Sequence, residues 1–317
     1  MMLKKQVLIS EVGPRDGLQN CRSVMATAAK KDWILALYNA GIREIEVGSF
    51  VPAKLFPQLA DTGDIVQYAK TLPGLVVAVL VPNARGANDA ILAGADKLTL
   101  PLSVSETHSL KNLRKTHEQV LNEARQIADL VAACPKASRP SFEGSLSTVF
   151  GCSLEGAIPL AQILKLAEGL MRAGVDEVGL SDTTGYANPE SVKSMIRAVR
   201  HAVGEKAVQG VHLHNTQGLG LVNAYAAYEE GIRTFDSSLG GLGGCPASPG
   251  ASGNIVTEDL VFMFESMGVS TGIDLDALFA ARTVLREALP QEEIYGFTPQ
   301  AGLPKGFRPA PQAAKRG

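Results

Sequence analysis

Apolar and polar residues alternate along this chain as short buried strands separated by longer helical segments. Apolar runs predict eight strands, at residues 7–12, 44–48, 75–81, 97–102, 143–149, 177–181, 209–214 and 234–239. Most of the gaps between these runs carry the apolar spacing that is typical of an amphipathic helix. Strands that alternate with helices in this way predict a parallel sheet covered by helices.

A short pattern recurs where a predicted helix meets a predicted strand. It consists of a helix end, a glycine, a polar turn and the start of a buried strand, and it occurs at 40–45, 93–98, 173–178 and 230–235. A glycine at this position accepts the left-handed conformation that ends a helix. With eight strands, these junctions predict a closed (β/α)8 TIM barrel, and a doubly wound open sheet is the alternative.

The predicted barrel forms a single domain over residues 1–289, with an extra helix at its carboxyl end. Residues 290–317 become rich in proline and basic side chains, so we expect a short extended tail there. A regulatory domain of ordinary size does not fit into this remainder.

Composition describes an ordinary globular protein. Hydrophobic residues make up 45% of the chain, charged residues 20%, and the net charge is −2, which gives no electrostatic footprint for nucleic acid. No apolar run approaches the ~18 residues of a membrane span, and the amino terminus lacks a signal-peptide pattern. We therefore expect a cytoplasmic homo-oligomer that has no membrane or nucleic-acid partner and whose four cysteines are free thiols.

A glycine-rich segment at 240–254 interrupts the regular pattern. It holds six glycines and two prolines, and the helical pattern resumes directly after it, at 257–264. We therefore expect an ordered loop that binds or covers a ligand, with a disordered linker as the alternative. Cys245 is the one side chain of this loop with proton-transfer chemistry near neutral pH.

Polar residues follow the first strand and interrupt the second. In a (β/α)8 barrel the active site lies at the carboxyl ends of the strands, so these residues are candidates for it. Arg15 and Asp16 follow the first strand in a Gly-Pro-Arg-Asp-Gly segment, a composition that is also typical of an ordinary turn. In the second strand Glu46 alternates with apolar neighbours, so it points into the barrel, where a carboxylate must be paired or catalytic. Glu44 shares this face, but its place in the junction pattern predicts the solvated bottom of the barrel.

Two histidines end the seventh strand, His212 and His214. Residues two apart share one face of a strand and lie ~6.5 Å apart, so both imidazoles can reach one ion, although a hydrogen-bonded polar core is the alternative. In a closed barrel strands 7, 8 and 1 are neighbours, which brings Asp16 and Asn254 to the same place. Oxygen and nitrogen ligands of this kind favour Mg²⁺ or Mn²⁺ over a structural zinc. The other histidines, which have no such partner and are expected on the surface or behind the site, are His108, His117 and His201.

Three segments closely resemble the 3-hydroxy-3-methylglutaryl-CoA lyase family. They read Glu-Val-Gly-Pro-Arg-Asp-Gly-Leu-Gln-Asn at 11–20, His-Leu-His at 212–214, and Gly-Leu-Gly-Gly-Cys-Pro followed by Gly-Ala-Ser-Gly-Asn within 241–254. The likeness extends from about residue 6 to 289. It implies a metal-dependent barrel that cleaves a carbon-carbon bond in a CoA thioester, releasing acetyl-CoA and acetoacetate.

The resemblance also implies the roles of the matching residues. A divalent cation, Mg²⁺ or Mn²⁺, is held in the family by the counterparts of Asp16, His212, His214 and Asn254. The implied catalytic residues are Arg15, Asp16, Glu46, His212 and Cys245. The implied substrate-binding residues are Gln19, Asp182 and Thr183.

Within that set, the chemistry assigns different tasks. Arg15, always charged, is expected to stabilise the enolate oxygen, and Cys245 to return a proton to the enolate carbon, as in the family that the sequence resembles. Asp16 or His212 accepts the proton of the substrate hydroxyl.

The sequence departs from the family pattern at three positions in the predicted pocket. Ala247 follows the loop proline where an aromatic residue is common, Cys152 stands near the end of strand 5 in place of a proline, and Asn215 replaces a usual aspartate. No metal ligand is lost, but a related substrate such as citramalyl-CoA, which would give pyruvate, is an alternative. A condensing acyltransferase of the isopropylmalate synthase type is disfavoured by the short tail, and a non-catalytic metal scaffold would need neither Arg15 nor Cys245.

Overall fold

The computed structural model describes residues 6–243 and 253–311. Its eight parallel strands form a closed barrel in chain order, and the first strand pairs with the last. The strands are β1 (Leu8–Glu11), β2 (Glu44–Ser49), β3 (Val76–Leu80), β4 (Lys97–Ser103), β5 (Ser141–Ser147), β6 (Glu177–Asp182), β7 (Gly210–Leu213) and β8 (Thr234–Ser237). This closure confirms the predicted (β/α)8 barrel and rules out the open sheet.

Helices surround the barrel. They are α1 (Thr27–Asn39), α2 (Thr62–Ala69), α3 (Ala84–Ala93), α4 (Glu106–Asn112), α5 (His117–Ala133), α6 (Leu160–Ala173), α7 (Pro189–Val203), α8 (Gly220–Glu229), α9 (Thr257–Ser266), α10 (Leu275–Ala288) and α11 (Phe297–Ala301). The predicted extra helix is α10, which packs against α1. None of the helices in the described ranges is long and apolar enough to cross a membrane.

The main core lies between the strands and the helices. Trp33 from α1, Phe142 from β5, Phe235 from β8 and Phe264 from α9 are all fully buried. The rings of Phe235 and Phe264 lie 4.9 Å apart between centroids, which joins the last strand to the helix that follows it. Burying a side chain of this size contributes about 1.5–3 kcal/mol, so each such contact holds a helix firmly on the barrel.

The predicted junction glycines adopt the expected conformation. Gly41, Gly94, Gly174 and Gly231 all have positive φ angles, between 86° and 106°. At Gly41 the space is also restricted, because a Cβ atom there would lie 2.4 Å from the carbonyl oxygen of Gly272. These glycines therefore end their helices and turn the chain towards the next strand.

A buried charge cluster fills the barrel interior near the amino ends of its strands. Lys97 Nζ lies 2.7 Å from Glu143 Oε2, 2.9 Å from Glu177 Oε1 and 3.8 Å from Glu44 Oε1. Burial raises the pKa of Glu143 to about 7, although Lys97 lowers it. The prediction that Glu44 is solvated was wrong, because this lysine gathers carboxylates from three strands and Glu44 is only 7% exposed.

The segment at 290–311, predicted to be part of an extended tail, contains α11 and contacts α9. Asp259 Oδ1 accepts a hydrogen bond from the amide of Thr298 at 2.7 Å. Glu265 Oε2 accepts one from the amide of Ala310, also at 2.7 Å. These side chains of α9 therefore attach the segment to the barrel, and the division of the chain at residue 289 stays a prediction.

Candidate active site

The Arg-Asp pair lies on a π-helical turn directly after β1, Gly13–Gly17. The amides of Arg15, Asp16 and Gly17 all donate to the carbonyl oxygen of Val12, at 3.1, 2.7 and 3.3 Å. A Cβ atom on Gly13 would lie 2.5 Å from a carboxylate oxygen of Glu11, so a larger residue would displace that side chain. The turn is therefore compact and sets both charged side chains at the carboxyl end of the barrel.

Glu11, the last residue of β1, holds this turn in place. Its Oε1 accepts from the amides of Gly13 and Leu239, both at 2.9 Å, and its Oε2 accepts from the Thr257 hydroxyl at 2.7 Å. Burial raises the pKa of Glu11 to about 8, against the lowering effect of these three hydrogen bonds. Glu11 thus ties the two ends of the chain together, a role that the sequence reasoning missed. The sequence signal that could have revealed this role is a carboxylate at the end of an apolar strand.

Arg15 lies between two carboxylates. Its Nε is 2.6 Å from Glu46 Oε2, and its Nη1 is 2.6 Å from Asp16 Oδ1. Burial alone lowers the pKa of Arg15, but Glu46 and then Asp16 raise it above its usual range, so the guanidinium stays charged. Glu46 lines the central cavity, as predicted from the alternation along β2.

The two histidines converge with Asp16. His212 Nε2 lies 3.0 Å from His214 Nε2 and 4.0 Å from Asp16 Oδ2. Burial, followed by the charge of His212, lowers the pKa of His214 to about 4, which leaves this imidazole neutral as a metal ligand requires. Although burial raises the pKa of Asp16, Arg15 and the histidines hold it well below its usual range, so the carboxylate is ionised.

Three of the four predicted metal ligands therefore lie together. One ligand atom from each of Asp16, His212 and His214 falls within 4.8 Å of the other two. One carboxylate and two imidazoles form a donor set that fits a divalent cation.

The fourth predicted ligand, Asn254, also reaches this cluster. Its backbone forms an isolated antiparallel bridge with His214. Its side-chain Nδ2 donates to Asp16 Oδ2 at 2.8 Å and to the carbonyl oxygen of Leu242 at 3.1 Å. Here Asn254 orients Asp16, and it would have to turn its amide to present Oδ1 to a cation.

A cavity of about 160 Å³ extends from the Arg15 side of the cluster into the barrel. Thr183, directly after β6, lines it, and its hydroxyl accepts from the amide of Thr148 at 3.0 Å. The neighbouring Asp182 instead turns into the following loop, where its carboxylate accepts from the amides of Tyr186 and Ala187 at 2.9 and 3.1 Å. Burial raises the pKa of Asp182 to about 6.

The remaining predicted residues lie further from the cluster or outside the description. Gln19 follows the π-helical turn, half-buried, and is not among the residues that line the cavity. His108 Nδ1 contacts the Ser103 hydroxyl at 2.8 Å, at the rim of β4. Cys245 lies outside the described residues, and the three cysteines that are described are free thiols, as predicted.

Fold and site together define a (β/α)8 barrel enzyme with a candidate divalent-metal centre at the carboxyl end of its strands. The HMGL-like family model matches residues 6–285. The chain belongs to this hydroxymethylglutaryl-CoA lyase family.

The hydroxymethylglutaryl-CoA lyase of Bacillus subtilis is 39% identical over 289 residues, covering 91% of this chain and 95% of that protein. The mitochondrial enzyme of Mus musculus is 40% identical over 287 residues, covering 90% and 87%.

Solved structures agree with this assignment. The crystal structure of the Bacillus subtilis HMG-CoA lyase has a TM-score of 0.88 and 37% identity, covering 95% of this chain and 99% of that one. An HMG-CoA lyase from Acinetobacter baumannii in complex with coenzyme A and 3-methylmalate has a TM-score of 0.88 and 39% identity, covering 98% and 100%. The carboxyl transferase domain of Rhizobium etli pyruvate carboxylase, at 17% identity and a TM-score of 0.66, covers 92% of this chain and 50% of its own and shares the fold alone.

Proposed function

We propose that this protein is a divalent-metal-dependent lyase that cleaves 3-hydroxy-3-methylglutaryl-CoA into acetyl-CoA and acetoacetate. The observation that carries the proposal is the position of Arg15 beside the Asp16, His212 and His214 cluster in a barrel of this family. The named relatives from Bacillus subtilis and Mus musculus are hydroxymethylglutaryl-CoA lyases, so neither a citramalyl-CoA lyase nor a condensing acyltransferase is favoured.

The residues present fit a cation of the Mg²⁺ or Mn²⁺ type. Asp16, His212 and His214 would hold it, with Asn254 as a fourth ligand after its amide turns. When bound, such a cation makes a substrate hydroxyl more acidic and fixes its orientation.

Cleavage next to a thioester requires three proton or charge movements, and the chain offers a group for each. Asp16 and His212 are the predicted candidates that accept the hydroxyl proton. Asp16 is the better suited, because its carboxylate keeps a second oxygen when one oxygen binds a cation, whereas His212 has only Nε2 for either task once Nδ1 is bonded to Asp236. Expulsion of the acetyl-CoA enolate places negative charge on its thioester oxygen. Protonation of the enolate carbon is assigned to Cys245 by the family resemblance.

Arg15 is suited to stabilise the enolate. Its Nε is bonded to Glu46 and its Nη1 to Asp16, and among the described residues none is bonded to its Nη2. The free end of the guanidinium fork therefore remains available to the enolate oxygen. Glu46 acts through Arg15 in this scheme, because its carboxylate fixes the direction of the fork.

Thr183 is proposed to contact the substrate, because it lines the cavity beside the metal-ligand cluster. Gln19 and Asp182 stay predictions from the resemblance, as do the homo-oligomeric state and the cytoplasmic location. Size-exclusion chromatography and cell fractionation test the last two.

Steady-state assays with two thioesters test the proposed reaction. Metal-stripped protein is supplied with Mg²⁺ or Mn²⁺ and with either 3-hydroxy-3-methylglutaryl-CoA or citramalyl-CoA, and acetoacetate and pyruvate are measured. We expect acetoacetate from the first thioester, at a rate that a chelator abolishes and that the preferred ion restores. Faster pyruvate release from the second thioester would reassign the substrate, and no cleavage of either would overturn the lyase proposal.

A further inference from the structure

His212 and Asp236 stand opposite each other on neighbouring strands. The register of β7 and β8 pairs these two residues, and both side chains line the cavity. His212 Nδ1 lies 3.1 Å from Asp236 Oδ2. Because both strands belong to the closed barrel, their backbones fix this pair more firmly than a surface loop would.

The other ring nitrogen of His212 faces the candidate metal ligands. Its Nε2 lies 3.0 Å from His214 Nε2 and 4.0 Å from Asp16 Oδ2. A neutral imidazole carries one N–H group, and when Nδ1 donates this hydrogen to a carboxylate, the lone pair of Nε2 is free. That tautomer is the one in which His212 binds a cation through Nε2.

Asp236 is available for this task. Within residues 6–243 and 253–311, the Asp236 carboxylate makes one hydrogen bond, to His212. The nearby lysine of the barrel interior, Lys97, is instead paired with Glu143 and Glu177. The carboxylate of Asp236 is thus directed at a single partner.

We propose that Asp236 is a positioning residue that fixes the tautomer and ring direction of His212, so that Nε2 is presented to the divalent cation. The inference rests on the proposed metal site. Removing a carboxylate partner of this kind lowers metal affinity by roughly 10–100-fold, and we expect that loss for Asp236→Ala. Asp236→Asn keeps an oxygen that accepts the Nδ1 hydrogen, so its loss is smaller.

Calorimetric titration of the metal-stripped, full-length protein with Mn²⁺ measures this loss. The matched control is Glu177→Gln, which removes a carboxylate charge from the same barrel interior at its contact with Lys97 and leaves His212 untouched. Wild-type affinity in Glu177→Gln and weaker binding in both Asp236 variants support the inference. Wild-type affinity in Asp236→Ala, or an equal loss in Glu177→Gln, overturns it. Failure of the wild-type protein to bind Mn²⁺ would instead overturn the metal site itself.

The tautomer can be read directly in the metal-free protein. The chain has five histidines, so a ¹⁵N spectrum of the imidazole rings is simple, and a His212→Gln variant assigns the resonance. At a pH at which the His212 ring is neutral, we expect it to carry its hydrogen on Nδ1 in the wild-type protein and to lose this preference in Asp236→Ala. Asp236→Asn keeps an acceptor oxygen and should retain this preference in part, whereas Asp236→Leu, which has a similar shape and no acceptor, provides the readout if the alanine variant folds poorly. An unchanged tautomer in the variants that lack an acceptor overturns the inference.

Discussion

Arg15 and Glu46 form a 2.6 Å ion pair that joins the turn after β1 to the middle of β2. Arg15 donates through Nε to Glu46 and through Nη1 to Asp16. Arg15 is therefore held in one direction by two carboxylates while its charge is kept. A guanidinium that is already oriented lowers the activation barrier more than one that must reorient when negative charge develops on the substrate.

Replacing Arg15 with Gln should remove turnover and spare metal binding. Loss of a fixed donor at a developing oxyanion costs ~10²–10³-fold in kcat, and loss of a full charge costs at least as much. Metal affinity should not fall, because Arg15 is a positive neighbour of the predicted ligand Asp16 and is not itself among the predicted ligands. Steady-state kinetics and Mn²⁺ titration of the same preparation measure both quantities.

Arg15→Lys is the matched control for that prediction. It keeps the charge but loses the planar fork that contacts Glu46 and Asp16 together, so we expect an intermediate kcat. Loss of Mn²⁺ binding in Arg15→Gln would show that the arginine acts by holding Asp16 in place. An unchanged kcat would remove Arg15 from the mechanism.

Divalent metal should stabilise the folded protein through the predicted ligands. A ligand that binds the native state alone adds RT ln(1 + [L]/Kd), about 2.7 kcal/mol at a hundredfold excess over Kd. We expect Mn²⁺ to raise the Tm of the wild-type protein and to leave that of His214→Ala unchanged. His201→Ala, on the exposed face of α7, should keep the full shift. A full shift in His214→Ala would contradict the assigned ligand set.

Much of the fold follows from local sequence signals. The first strand was predicted at 7–12 and spans Leu8–Glu11, and the sixth was predicted at 177–181 and spans Glu177–Asp182. Such agreement arises because a junction glycine and a run of buried residues are both short-range features. The convergence of Asp16 with His212 was predictable for a similar reason, since barrel closure alone makes strands 7, 8 and 1 neighbours.

Details of the site depended on information that the pattern lacks. Asp236 occupies an ordinary polar position of β8, and its contact with His212 follows from the register of two strands, which hydrophobic spacing does not specify. The resemblance implies that Asp182 binds substrate, but the direction of its carboxylate is set by the amides of the following loop. Glu44 was assigned to solvent because a lysine 53 positions away along the chain, Lys97, was not recognised as its partner.

The buried Glu11 should make stability depend on pH. Because its pKa is raised from 4.5 to about 8, the folded protein retains a proton that the unfolded chain releases above pH 4.5. This contribution to the free energy of unfolding is complete below pH 4.5 and is lost as the pH rises through 8, by at most about 1.4 kcal/mol per pH unit. Urea unfolding between pH 5 and 9 should therefore show a steeper decline for the wild-type protein than for Glu11→Gln. Parallel curves would contradict the raised pKa.

Asp182 should contribute more to stability than to substrate affinity. Its carboxylate accepts from two backbone amides of the β6–α7 loop, those of Tyr186 and Ala187. Asp182→Ala leaves both amides without this acceptor, so the free energy of unfolding should fall by about 1–3 kcal/mol. Chemical unfolding and KM are compared in one preparation. A large rise in KM with unchanged stability would instead support the substrate contact that the family resemblance implies.

Cys245 should be required for turnover, although it lies outside the described residues. The described glycines on either side of its segment both contact the site: a Cβ on Gly243 would lie 2.7 Å from Asn254 Nδ2, and the carbonyl of Gly253 accepts from the amide of Asn215 at 2.7 Å. Cys245→Ala should therefore lose cleavage under reducing conditions while Mn²⁺ affinity is unchanged, because the family resemblance assigns its thiol to proton transfer and not to the metal. Cys134→Ala removes a half-buried thiol directly after α5 and should keep wild-type kcat. Wild-type turnover in Cys245→Ala would exclude the thiol as the proton donor and transfer that role to another group at the mouth of the barrel.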